Sequence, residues 1–306
     1  MNKIAIVVPC YNEEEMLEVF YQEVKKQLVP DYDFYFIFID DGSKDKTMEI
    51  IKSLNTKDPK VKFVSFSRNF GKEAAMYAGL QAAKLLDVNA AILIDADLQD
   101  PPSLIPEMLK YYEAGYKHIY TKHKSRKNEP FLKKFFAKAY YKTYGILTKN
   151  PNVAQGARDF SLLDRDVIEA FLQVKDYRRF TKGIFTWVGF EKKCIEFDYV
   201  PRYAGKTKWS FKKLFRYGML GIKQFSHVYN LIPNLLIFLC LLLLGFEIGY
   251  GHIIGFDFLA LKIEFLALLI LIGIKYLMRL VYDIRDQSLS RPLYLTKESN
   301  IECKHD

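Results

Sequence analysis

Blocks of two kinds alternate along the first hundred residues. Ile4–Pro9 is a continuous β-branched apolar run, the pattern of a strand buried on both faces. Glu13–Leu28 carries Leu17, Phe20, Val24 and Leu28 at helical spacing, an apolar stripe on a charged segment. The alternation continues with a strand at Phe34–Ile39, a helix at Asp45–Leu54 capped by Ser43 or Asp45, and a strand at Val61–Phe66. A helix at Glu73–Leu86 and a strand at Ala90–Ile94 follow. This order predicts an α/β fold with a mainly parallel, Rossmann-like sheet and helices on both faces. Ligands of such sheets collect beyond the carboxyl ends of the strands. Four polar clusters fall there: Pro9-Cys10-Tyr11-Asn12, Asp40-Asp41, Ser67-Arg68-Asn69 and Asp95-Ala96-Asp97. Further on, the pattern predicts a helix over Asp100–Leu109 with prolines in its first turn, and a strand at His118–Lys122. A basic and aromatic helical stretch precedes short strands at 157–163 and 194–200.

The pattern changes after residue 205. "KTKWSFKKLFRYGMLGIKQFS" is basic and amphipathic, as at a membrane interface. Gln224–Phe246 holds no Asp, Glu, Lys or Arg and is long enough to span a bilayer. Phe258–Val281 is apolar but interrupted by Lys262, Glu264, Lys275 and Arg279, and reads as the return leg of a hairpin. The loop between the spans has no Lys or Arg. The flanks carry Lys212, Lys213, Arg216, Lys223, Arg279, Arg285 and Arg291, which predicts both ends on the cytoplasmic side of the cell membrane. The alternative is a buried helical hairpin, which the length and uniformity of the first run disfavour. The start of the chain runs into a strand and acids and does not resemble a signal peptide.

Composition narrows the chemistry. The 45 Lys and Arg against 36 Asp and Glu give a net charge of +9, which suits nucleic acid, an anionic membrane or a phosphorylated substrate. The bases cluster around the apolar segments, so membrane and phosphate account for them without nucleic acid. Cys10, Cys194, Cys240 and Cys303 show no CxxC spacing, so neither a zinc site nor a disulfide framework is expected.

Why should two buried strands end in carboxylates? Asp95 and Asp97 are two apart, so they share one side, with Gln99 beyond. That is a hard oxygen site for Mg²⁺ or Mn²⁺ completed by phosphate oxygens. The alternative is that Asp97 or Asp100 caps the following helix. Asp40-Asp41-Gly42-Ser43 can accept hydrogen bonds from a base or ribose; it can also form a tight turn with Asp41 as an Asx residue and Gly42 at positive φ, and the two readings are compatible. Tyr11 can stack on a base or sit in the core. Lys72 and Arg68 are candidate cations for a diphosphate, or solvated surface groups. Arg126, Lys133, Arg202, Lys206 and Lys208 suit an acceptor phosphate, or general attraction to anionic lipid.

"VVPCYNEEE", "IDDGSKDKT", "SRNFGKEAA" and "DADLQDPP", in this order and spacing, resemble the family 2 glycosyltransferases of GT-A fold. The nearest subgroup is the polyisoprenyl-phosphate sugar transferases, which include dolichol-phosphate mannose synthases and bacterial bactoprenol glucosyltransferases. "ARDFSLLDRDV", "RRFTKGIFTWVGF", "YAGKTKWSFKKLF" and "RPLY" extend the resemblance over nearly the whole chain. It implies an inverting, metal-dependent hexosyltransferase moving glucose or GlcNAc from a UDP-sugar to undecaprenyl phosphate for the cell envelope. By resemblance the donor site takes Pro9, Tyr11, Asn12, Glu13, Asp41, Lys72, Asp95, Ala96 and Asp97, with Asp41 on the uracil. Asp95, Asp97 and Gln99 hold the metal, and Asp97 and Asp159 are catalytic, Asp159 in the base position. Chemically, Asp159 can instead orient Arg158 or the sugar. Arg126, Lys133, Arg202 and Lys208 take the acceptor phosphate. The implied organisation is a cytoplasmic GT-A domain (1–205), juxtamembrane helices (206–226), two transmembrane helices (227–282) and a cytoplasmic tail (283–306). A homo-oligomer, a flippase and a downstream transferase of the same pathway are compatible partners. A processive polysaccharide synthase and a non-catalytic nucleotide-sugar-binding scaffold are the alternatives; two spans and the absence of QxxRW argue against the first, the intact Asp95-x-Asp97 against the second.

Overall fold

A computed structural model of the chain describes residues 1–124, 131–148, 156–198, 211–226, 233–242, 245 and 259–301, without the side chains of 131–138, 141, 211–215, 259–262 and 264. Eight strands form one sheet: β1 (Asn2–Cys10), β2 (Tyr32–Asp40), β3 (Val61–Phe66), β4 (Ala90–Leu93), β5 (His118–His123), β6 (Ala157–Asp164), β7 (Lys192–Phe197) and β8 (Thr296–Ser299). The helices are α1 (Leu17–Lys25), α2 (Thr47–Lys57), α3 (Lys72–Leu85), α4 (Ile105–Glu113), α5 (Phe131–Thr148), α6 (Arg165–Gln173), α7 (Thr181–Trp187), α8 (Phe211–Phe225), α9 (Pro233–Leu242) and α10 (Leu259–Ser288).

The strand order is β7-β5-β6-β4-β1-β2-β3-β8. The centre is parallel as its continuous apolar runs predict: β1 pairs with β2 and β4, and β2 with β3. The sheet as a whole is mixed. β6 runs antiparallel between β4 and β5, and β8 antiparallel to β3. The insertion of β6 matters for the site, because it brings the first residues of β6 to the edge where β1, β2 and β4 end.

The pleat sorts the core into two layers. Ile4, Ile6 and Val8 of β1 point with Phe36 and Phe38 toward Leu17, Phe20, Ile51 and Met108 of α1, α2 and α4. Ala5 and Val7 point with Ile37 and Ile39 toward Ala75 and Leu80 of α3, Phe171 of α6 and Ile184 of α7. Helix α3 lies so close to β1 that a Cβ at Gly79 would stand 2.2 Å from Val7 Cγ1. A third cluster joins Tyr144 of α5, Phe180 and Ile222 of α8.

The apolar C-terminal part differs in detail from its sequence pattern. Helix α10 is continuous through Lys275 and Arg279, and its 24 residues Phe265–Ser288 are long and apolar enough to cross a membrane. Of the expected first span, 224–246, the structure describes 224–226 at the end of α8, Pro233–Leu242 and residue 245. These ten helical residues rise about 15 Å, half a bilayer core. The segment after α10 returns to the sheet as β8. Tyr294 stacks on Phe66 at 4.7 Å between ring centroids and donates to Gln81 at 2.8 Å. The β3 edge is thereby covered, which removes an open row of backbone groups.

Candidate active site

Strands β1, β2 and β4 end side by side at Cys10, Asp40 and Leu93, and their following loops share one edge. Ser161 of β6 pairs with Leu93, so Ala157, Arg158 and Asp159 reach past that edge from the opposite direction. Helix α3 begins at the same place. Gly71 precedes it with φ of 96°, a left-handed conformation that glycine tolerates. Lys72 is its first residue.

Lys72 is the hub. Its Nζ donates to Asp95 Oδ2 at 2.8 Å and to Asp159 Oδ2 at 2.5 Å. Lys182 of α7 lies 3.7 Å from Asp159 Oδ1 and donates to the Ala157 carbonyl at 2.7 Å. About a quarter of the Lys72, Asp95 and Asp159 side chains remains exposed, so this is a surface-accessible cluster and not a core ion pair. Burial opposes charge on Asp159, but the Lys72 charge, aided by Lys182 and Arg158, outweighs it and holds the carboxyl well below the usual range. Lys72 is raised in turn: burial works against its charge, and Asp159 and Asp95 overcome that.

Asp41 is wired differently. Its Oδ1 accepts from the Phe70 amide at 2.6 Å and its Oδ2 from the Gly71 amide at 2.9 Å. The loop that launches α3 is thus pinned to the end of β2. Gly42 makes the approach feasible, since a Cβ there would meet Arg68 backbone atoms at 2.5 Å. Burial pushes the Asp41 carboxyl up to about 6, and the two amide bonds pull it only part of the way back. Asp40 accepts from the Ser43 amide at 2.9 Å and from Ser65 Oγ at 2.7 Å. The turn forms with Asp40, not Asp41, as the acceptor of the Ser43 amide; Asp41, expected on a uracil, is 4% exposed and bonds to the loop before α3.

The other calls fall as follows. Pro9 is the last residue but one of β1; Tyr11, Asn12 and Glu13 follow the strand beside the second loop, where the Asn12 amide donates to Ser43 Oγ and the Glu13 amide to Thr47 Oγ1. Asp95, the buried Ala96 and Asp97 form the turn after β4. Leu98 there has φ of 53°, unusual for a side chain of its size and a sign of backbone held by its surroundings. Gln99 donates its amide to Asp97 Oδ1 at 3.1 Å. Asp100 does not cap the next helix. Its carboxylate pairs with Arg158 Nε at 2.8 Å, and burial pushes it up to about 6 against the pull of that guanidinium. Arg126, Arg202 and Lys208 lie outside the described residues; Lys133 falls in α5, with its side chain outside them.

Among the described residues no three His, Cys, Asp or Glu side chains group as a ready-made metal cage. Asp95 and Asp97 nevertheless fit a hard divalent ion of the kind that takes one or two carboxylates and completes its shell with phosphate and water. Sequence patterns missed Lys182 and Glu73. Both approach the cluster through the fold, from 23 and 86 positions away in the case of Asp159; the signal that could have flagged them is that each stands inside a stretch carrying the family resemblance, "RRFTKGIFTWVGF" and "SRNFGKEAA".

A mixed sheet of this order with acids beyond its carboxyl ends is the architecture of GT-A glycosyltransferases. The glucosyl-3-phosphoglycerate synthase of Mycobacterium tuberculosis, solved with Mn²⁺ and UDP-glucose, shares the fold, with a TM-score of 0.50 at 16% identity over 71% of this chain and 76% of that one. The chain belongs to Glycosyl transferase family 2, whose pattern residues 5–172 match. It is 36% identical over 309 residues to the SfII prophage-derived bactoprenol glucosyl transferase of Shigella flexneri, covering 97% of this chain and 98% of the relative. A prophage bactoprenol glucosyl transferase homolog of Escherichia coli K12 is 39% identical over 225 residues, 73% of this chain and 72% of the relative. The protein is thus a glycosyltransferase.

Proposed function

We propose that the protein transfers glucose, with GlcNAc as the competing donor sugar, from a UDP-sugar to a polyprenyl phosphate such as undecaprenyl phosphate. The observation that carries the reading is Lys72 bridging Asp95 and Asp159 at the sheet edge. One cation is there shared between the turn after β4 and the first residues of β6. The names of the Shigella and Escherichia relatives support glucose and a lipid carrier.

In the proposed reaction a lipid phosphate oxygen attacks the anomeric carbon as the bond to the UDP oxygen breaks, with inversion, so an α-linked donor yields a β-linked lipid sugar. Asp95, Asp97 and Gln99 would hold Mg²⁺ or Mn²⁺, which when bound neutralises charge on the diphosphate. Two anions must approach each other, and Lys72 and Lys182 supply positive charge where they meet. A phosphate monoester has its second pKa near ~6 and is largely ionised at neutral pH. The acceptor therefore needs little help from a base. Asp159, held strongly acidic, makes a poor base and a good anchor. It orients Lys72 and Lys182 in this reading. Arg126, Lys133, Arg202 and Lys208 remain the proposed grip on the acceptor phosphate.

Delivery of a lipid needs a membrane. Helix α8 is packed on α7 at its end, through Phe225 against Gly183, and the segment after α10 is tied to the sheet by β8. The chain leaves the catalytic domain and returns to it, which supports an even number of crossings: α10 and a first span that includes α9. With the basic flanks, this supports two spans, a cytoplasmic catalytic domain and both ends in the cytoplasm. Purified protein in nanodiscs, given undecaprenyl phosphate and UDP-glucose or UDP-GlcNAc with Mg²⁺ or Mn²⁺, should form a lipid whose mass rises by one hexosyl unit. A mass rise of one acetylated hexosamine would replace glucose by GlcNAc, and no lipid product with either donor would refute the reading.

A further inference from the structure

Glu73 follows Lys72 in the first turn of α3, yet its partners come from the far end of the chain. Its Oε1 accepts from the Tyr217 hydroxyl of α8 at 2.7 Å, across 144 positions. Its Oε2 accepts from the Thr181 amide at 3.0 Å and from the Thr181 hydroxyl. Thr181 opens α7, and Lys182, next in line, lies beside Asp159. A single carboxylate thus joins α8 to the first turns of α3 and α7, the two helices that supply Lys72 and Lys182 to the reactive cluster.

The seat of α8 is tightly specified as well. A Cβ at Gly221 would stand 2.8 Å from the Phe180 ring, and one at Gly218 would stand 3.0 Å from Tyr140 of α5. Phe180 itself packs with Tyr217 at 4.9 Å and with Tyr144 at 6.1 Å. Helix α8 therefore sits against the catalytic domain at glycine distance, with the Tyr217 hydroxyl aimed at Glu73. Its sequence is that of an amphipathic interface helix carrying Lys212, Lys213, Arg216 and Lys223.

We propose that Glu73 is a positioning residue that couples the seating of α8 on an anionic lipid surface to the placement of Lys72 and Lys182. The proposal rests on the reaction proposed above. When α8 is seated, Tyr217 and Thr181 hold Glu73, the first turn of α3 is fixed, and Lys72 spans Asp95 and Asp159. When α8 is displaced, Glu73 loses one partner and the first turn of α3 loosens. The cluster is then complete only where the lipid acceptor is found.

The test uses the full chain in nanodiscs of phosphatidylethanolamine and phosphatidylglycerol. Tyr217→Phe removes one hydroxyl and keeps the ring. It should lower kcat for lipid glucosylation roughly tenfold while UDP affinity stays within about twofold, a split that general loss of structure would not produce. Glu73→Gln should show the same split, and the double variant should be no worse than Glu73→Gln alone. Gly221→Ala, whose added Cβ would meet the Phe180 ring and leaves the Tyr217 hydroxyl in place, should reproduce it by lifting α8. If Glu73→Gln fails to fold, Tyr217→Phe and Gly221→Ala carry the comparison. Amide exchange over residues 71–75, read on the same samples without any turnover, should be several-fold faster in Tyr217→Phe than in wild type. Unchanged kcat in Tyr217→Phe, or unchanged exchange at 71–75, would overturn the coupling. A wild type that forms no glucosyl lipid but shows the exchange difference would overturn the reaction and keep the coupling.

Discussion

Asp40-Asp41 and Asp95-x-Asp97 close two strands that flank β1, and both follow apolar runs. Their surroundings are opposite. Asp41 is almost fully buried and both of its oxygens meet backbone amides of residues 70 and 71. Asp95 is a quarter exposed and meets the side-chain ammonium of Lys72. A carboxylate bonded to backbone amides restrains the chain, since the amides cannot leave without unfolding the loop. A carboxylate bonded to a lysine on the surface can exchange that partner for a ligand. The first pair shapes the loop that carries Lys72, and the second uses Lys72.

Four substitutions and one change of conditions break or sharpen this contrast. The largest effect is expected at Lys72, where both halves meet. Lys72→Met leaves Asp95 and Asp159 without their shared cation, and the initial rate of lipid glucosylation should fall by about 10³; a loss under tenfold would remove Lys72 from the reaction. Arg158→Met comes next, because Asp100 would be left buried and unpaired. It should cost about 3 kcal/mol in denaturant unfolding, and a neutral result would mean that Asp100 is protonated in the folded protein. Asp41→Asn should cost about 2 kcal/mol by pairing a side-chain amide with two backbone N–H groups. Asp97→Asn should leave the unfolding midpoint nearly unchanged while abolishing metal-dependent UDP binding. An equal stability cost for both substitutions would erase the distinction between restraint and reactive acid.

The smallest effect is in pH. Asp41 is raised to about 6 in the folded protein, above the ordinary carboxylate value. A raised carboxyl binds its proton more tightly folded than unfolded, so its contribution to stability is full below the unfolded pKa near ~4 and is lost as pH rises through about 6. Between pH 5 and 6 the wild type should therefore lose roughly 1 kcal/mol relative to Asp41→Asn. Asp159, held low, acts in the other direction: its stabilisation is present above the unfolded pKa and is lost as pH falls below it. A relative gain for wild type as pH rises would mean that the two amide bonds outweigh burial at Asp41.

The strands at the centre of the sheet were legible because a strand buried on both faces must be apolar throughout, as Val7 and Ile39 show. Helix α3 was legible for a similar reason: its stripe of Ala75, Ala78, Leu80 and Ala82 faces a sheet it cannot avoid. The antiparallel entry of β6 was not, since its pattern permits either direction and only its neighbours β4 and β5 choose. Strand β8 was hidden in a short polar segment, "TKES", whose strand character comes from the open edge of β3. Among the site residues, Asp95, Asp97 and Asp159 could be named as a group of acids. That Asp41 turns inward, and that Arg158 spends its charge on Asp100, depended on which backbone and side-chain donors stood opposite.

Local order along the chain settles the alternation of strand and helix, the acids at the strand ends and the apolar length of the C-terminal helix. Each follows from periodicity or charge within about a dozen residues. Folding alone settles the partners. Lys72 meets Asp95 across 23 positions and Asp159 across 87, and Glu73 meets Tyr217 across 144. No periodic signal spans such distances, because the meeting depends on which strands lie adjacent and how closely the helices seat on them. The same aspartate is a loop pin or a reactive group according to the hydrogen-bond donor that the packed chain places within three ångströms of it.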